Sequence, residues 1–128
     1  MAKKKTAAET SKKSMAQALG AVGVAFGAIS VLAPRSVASG YGVPVTPAGL
    51  QLQRLFGSRA LVVSALALTA KTDEEVDRGL AAVAAMNALD TLTALAGAGK
   101  AGGRTTTRAV VSSLAYGAAA LWIRSLDE

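Results

Sequence analysis

The sequence predicts an all-α fold: a four-helix transmembrane bundle behind a disordered basic N-terminal tail. Three observations point there. Mean hydropathy is +0.40, with 52% hydrophobic and 17% charged residues, high for a domain dissolved in water. "MAQALGAVGVAFGAISVLA", residues 15–33, carries no charge and is long enough as a helix to cross a hydrocarbon layer about 30 Å thick. The apolar bulk is made of small residues, with 13 Gly and only 4% aromatics. Small side chains suit helices that approach closely in lipid better than a core filled by Leu and Phe. At 128 residues the chain has the length of one domain.

The tail is residues 1–14, "MAKKKTAAETSKKS". It has no apolar face, so it is expected to be disordered. Lys3, Lys4, Lys5, Lys12 and Lys13 make it a cytoplasmic flank that touches anionic lipid. A nucleic-acid arm is the competing reading, but no fold that reads bases follows, so no nucleic acid is expected.

The membrane domain is residues 15–124. Its first helix, about 15–33, carries Gly20, Gly23 and Gly27 close to one side, a groove for another helix backbone. Gly/Ala-rich segments also generate such spacings by chance. Pro34 stops this helix. A signal peptide ending at Ala38 is the competing reading of this stretch. Its apolar part is longer than usual, and Arg35 sits just before the cleavage position. Residues 35–45, "RSVASGYGVPV", read as a loop in which Tyr41 sits at the lipid headgroups.

Thr46 as N-cap and Pro47 at the first position start helix two, about 47–70. In "KTDEEVDR" Thr72 and Glu75 form a capping box, and Asp73, Glu74 and Glu75 favour a helix N-terminus. That pattern reads as capping rather than as a metal site. Helix three follows over about 73–98. "GAGKAGGR" is a turn; it lacks phosphate-loop spacing and no strand precedes it. "TTT" at 105–107 caps helix four, about 105–123. Trp122 and Arg124 pair an aromatic with a cation at the closing interface. Four spans place both termini in the cytoplasm if the lysines stay inside. Lys100, Arg104 and Arg108 then lie outside, against the usual bias. Helices two and three carry enough charge for wet faces, which keeps a soluble bundle as an alternative. Helices one and four are too apolar for it.

Asp90 interrupts the apolar run "MNALDTLTALAG". Counted from the turn between helices two and three, Arg54 and Asp90 share a level about 25 Å away. Arg59 lies near the level of Asn87 and can climb toward Asp90. An unpaired charge at such depth costs at least about 2.5–3.5 kcal/mol on insertion scales, so a pair of Asp90 with Arg59 or Arg54 is expected. Asn87, three residues away on the same face, is expected to add a hydrogen bond, with Thr91 beside it. The pair either locks two helices in register or marks an ion or ligand path; a surplus arginine could hold an anion or lipid phosphate.

"LAPRSVASGYG", "RLFGSRALVVSALAL" and "NALDTLTAL" together resemble a bacterial family of small four-helix membrane proteins, domain of unknown function 4267. The resemblance covers about residues 16–124. It is carried by Arg54, Gly57 and Arg59, followed by Asp90. Related sequences often have an acid after the second arginine, where this chain has Ala60. The resemblance implies the fold and no activity.

With no Cys and no His, thiolate and histidine metal sites, haem ligation and the commonest nucleophile–base pairs are excluded. No cofactor or metal is expected. Asp90, Ser112, Ser113 and Tyr116 are the residues an enzyme acting on a lipid or quinone would have to use. Hydroxyls on membrane helices usually bond backbone carbonyls instead. The expected function is non-catalytic: an accessory or scaffold component in the bacterial cell membrane, associating with a membrane protein or with itself. A holin-like pore is the alternative.

Overall fold

The computed structural model describes the backbone of residues 2–97 and 103–126, and the side chains from residue 11 onward. Among the described residues there are five helices and no strand: α1 Ala2–Leu32, α2 Pro34–Tyr41, α3 Pro47–Leu68, α4 Asp73–Ala96 and α5 Gly103–Arg124. Parts of the turn expected at 97–104, with Ala98 and Lys100, lie outside the described residues. Among the described residues two helices are long and apolar enough to cross a membrane. They are Ser11–Leu32 within α1, with mean hydropathy 1.8, and α4, with 1.4.

Three boundaries differ from the sequence reading. The backbone of α1 begins at Ala2 and runs through the stretch expected to be a disordered tail. Ala, Lys and Glu are good helix formers, and extending an existing helix avoids the cost of nucleation. Lys12 is 6% exposed and pairs with Asp77 of α4 at 3.0 Å. That lysine belongs to the bundle. The expected loop at 35–45 contains α2. Pro34 ends α1 and also occupies the first turn of α2, where its missing N–H costs nothing. Gly42 closes α2 at φ 73, a left-handed cap that suits glycine. Finally, α5 starts at Gly103, so Thr105–Thr107 sit inside its first two turns.

The other start signals act as read. Thr46 accepts from the Gly49 N–H at 3.0 Å. Thr72 accepts from the Glu75 N–H at 3.1 Å. Glu75 reaches back to the N–H of Lys71, at 3.4 Å, one residue before the cap.

The helices form two layers. α1 packs chiefly on α3, and α5 chiefly on α4; α3 and α4 join the layers. Glycine sets the α1/α3 distance. A Cβ on Gly20 would stand 2.7 Å from the Ser64 carbonyl, and one on Gly27 2.6 Å from that of Gly57. Gly57 answers from α3, where a Cβ would lie 2.9 Å from the Gly27 carbonyl. The main core cluster sits at the end where α3 turns into α4 and α5 finishes. Ala16, Ala67, Val76, Leu80, Ala120 and Ile123 meet there, and Leu80 is 0% exposed.

Outward, the pattern inverts what water favours. Leu32, Leu52, Val62, Leu92, Leu121 and Trp122 are all more than half exposed, whereas Ser30 and Ser64 are fully buried.

Candidate functional site

The opposite half of the bundle is less tightly filled. Two adjoining cavities of about 140 and 310 Å³ lie there between the layers. Both are lined by Tyr41, Phe56, Asp90, Ser112 and Ser113. Every bundle helix contributes to this cleft, and α2 contributes through Tyr41.

Asp90 enters the cleft because it lies on the α4 face that turns toward α3. It pairs with Arg59 Nη2 at 2.5 Å. Of the two arginines left open by the sequence, the structure selects Arg59; Arg54 stands exposed and outside the pair. At 1.5 Å per residue Asp90 is about 9 Å from the end of α4, while Arg59 sits near the middle of α3. The long arginine side chain closes the difference in level. Its guanidinium carbon also lies 5.4 Å from the centre of the Phe56 ring, a favourable place for a cation. The halves of the pair differ in burial: the Arg59 side chain is 44% exposed and that of Asp90 17%.

Asn87 and Thr91 do not join the pair, contrary to expectation. The Asn87 amide donates to the Val83 carbonyl at 2.8 Å, and Thr91 donates to the Asn87 carbonyl at 2.9 Å. Both bonds stay within α4, because each acceptor is four residues back on the same helix face. Asn87 instead lines the smaller cavity and faces Gly117 of α5, where a Cβ would come within 3.0 Å of the Asn87 Cβ.

At the deep end of the cleft Tyr116 donates to the Leu19 carbonyl at 2.6 Å. The Ser64 hydroxyl lies 3.4 Å from its oxygen. This junction ties α5, α1 and α3 together and depends on Gly23: a Cβ there would overlap both Ser64 Oγ and Tyr116 Oη. Of the three glycines read as a packing groove, Gly20 and Gly27 meet backbone, whereas Gly23 makes room for a polar contact.

At the shallow end Tyr41, expected at the headgroups, is half-buried and meets Ser112. Ser112 donates to the Ala109 carbonyl at 3.2 Å, which leaves Tyr41 to donate to Ser112 Oγ at 2.9 Å. Phe26 packs edge-on against both Tyr41 and Phe56, at 6.3 and 5.7 Å between centroids. Arg108 donates to the Gly40 carbonyl and so holds the C-terminal turn of α2. Trp122 is exposed. Arg124 donates to the Asp77 carbonyl at 3.3 Å.

The residues missed by the sequence reading are Phe26, Phe56, Ser64 and the Lys12–Asp77 pair. Gly57 was singled out only through the resemblance, and its packing against Gly27 was not foreseen. The rest are common residue types whose partners lie far away in sequence.

The site holds an ion pair, an aromatic wall and several hydroxyls spent on bonds between helices. No protein-family model, curated protein or solved structure matches the chain.

Proposed function

We propose that the chain is a four-span membrane protein, crossing with α1, α3, α4 and α5, and that it works without catalysis. In this reading it is an accessory or scaffold component that associates with a membrane protein partner or with further copies of itself. The observation that carries it is the outward display of large aliphatic side chains, together with glycine, alanine and serine at the α1/α3 contact, while a smaller aliphatic cluster around Leu80 is buried. Apolar exposure on this scale marks a lipid or protein partner, and lipid selects small residues at helix contacts. The N-terminal lysines favour a cytoplasmic N-terminus and contact with anionic lipid, and an even number of spans returns the C-terminus to that side of the bacterial cell membrane.

The absence of native cysteine makes the test clean. Single cysteines replace Ser11, Ser39, Thr72 and Gly103, all exposed positions, and are labelled with an impermeant thiol reagent from each side. Four spans require Ser11→Cys and Thr72→Cys to react from one side, and Ser39→Cys and Gly103→Cys from the other. Thr72→Cys reacting with Ser39→Cys would leave only α1 and α4 across and overturn the four-span reading. The size of the particle extracted in mild detergent tests association. A second protein in fixed ratio or a homo-oligomer supports it, and a lone monomer overturns it.

A further inference from the structure

We infer that the cleft between the α1/α3 and α4/α5 layers binds an anionic amphiphile, its phosphate or carboxylate at Arg59 and an acyl chain in the cavities behind. The inference rests on the membrane reading above and names a ligand for it.

Three observations carry it. The first is space. Two adjoining cavities of about 140 and 310 Å³ share one wall, and together they reach the size of small-molecule sites, roughly 300–1,000 Å³. The second is what lines them. Phe26 and Phe56 present hydrocarbon, and most polar groups there are already spent. Tyr41 is bound to Ser112, Tyr116 to Leu19, and the Asn87 amide to Val83. A hydrocarbon chain therefore leaves none of these groups without a partner.

The third is charge. A guanidinium carries five N–H donors. Arg59 directs one hydrogen bond to Asp90, and its side chain is 44% exposed at the wall of the larger cavity. The helix segments at this end of the bundle carry Arg35, Arg54, Arg59, Arg104 and Arg108 but a single acid, Asp90, among the described residues. Arg104 lies along Gly42 and Arg108 along Gly40, so two of these cations flank the α2 segment beside the cleft. The surplus attracts an anion, and the fork of Arg59 suits an oxyanion. Asp90 fixes that fork and also competes with the ligand for it.

That competition gives a diagnostic test. The whole chain is purified in a neutral detergent and examined by native mass spectrometry. The probes are phosphatidylglycerol, phosphatidylcholine with the same acyl chains, oleate and inorganic phosphate. One phosphatidylglycerol should be retained about tenfold over phosphatidylcholine, because the choline cation beside the same phosphate is repelled by the surplus arginines. Asp90→Asn frees Arg59 and should raise that retention further, a gain that loss of a merely structural pair would not produce. Ala109→Leu fills the larger cavity, which Ala109 lines, without changing charge, and should abolish retention. One-to-one retention of oleate, lost in the same variant, supports the inference and makes a free fatty acid the source. Equal retention of the two phospholipids, unaltered retention in Ala109→Leu, or inorganic phosphate displacing the lipid would each overturn it. The cysteine map is read independently. A four-span map with no lipid discrimination defeats this inference alone.

Discussion

The two halves of the Arg59–Asp90 pair should not be equally costly to lose. Removing Arg59 leaves a carboxylate that is 17% exposed and has no other hydrogen-bond partner described. On the membrane reading, insertion scales put a lone charge at mid-bilayer at about 2.5–3.5 kcal/mol, and Asp90 stands nearer one end of its helix, so Arg59→Gln should lose about 2 kcal/mol. Removing the acid leaves a guanidinium that is 44% exposed, still over the Phe56 ring, on a side chain able to climb toward the headgroups. A pair so open is worth little at that half, and Asp90→Asn should lose about 1 kcal/mol. The double variant strands no charge, so it should be as stable as Asp90→Asn and more stable than Arg59→Gln. Exchanging the two residues should recover part of the loss. The assay is reversible unfolding in mixed micelles with rising denaturing detergent, followed by helical circular dichroism. The reasoning fails if Asp90→Asn costs as much as Arg59→Gln, or if the single losses simply add in the double variant.

Two further perturbations probe the packing. Gly27→Leu should separate α1 from α3 and abolish the folded particle in mild detergent, because its first added carbon already meets the Gly57 carbonyl at 2.6 Å. Gly40→Leu, with nothing within 4 Å, should leave the particle intact in the same size-exclusion run. Tyr116→Phe removes the donor to the Leu19 carbonyl and should lower stability by about 1 kcal/mol. A change below the error of the unfolding curve would show that this hydroxyl does not tie α5 to α1.

Helix existence was legible because it rests on local chemistry. Thr46–Pro47 and Thr72–Glu75 satisfy helix-end N–H groups within four residues, so each start is written where it acts. The glycines of α1 were legible as a face, since helical periodicity alone lines them up. The α2 helix was not, because Pro34 reads equally as a stop and as a first helical residue. The fate of Asn87 was not legible either. Its spacing put it beside Asp90, yet the carbonyl of Val83, one turn back, offered a nearer acceptor.

By itself the sequence determined an all-helical chain, the starts of α3 and α4, and an acid on α4 with two arginines on α3 to choose from. These follow from residue type and from periods of three to four residues, which any isolated helix obeys. Tertiary structure decided which arginine pairs with Asp90, that Lys12 is drawn in against Asp77, and that Tyr41 turns toward Ser112. It also decided that space remains between the two layers. Such contacts depend on the rotation and separation of helices, and those are set by Gly20, Gly27 and Gly57 meeting across the α1/α3 contact. No single segment holds that information.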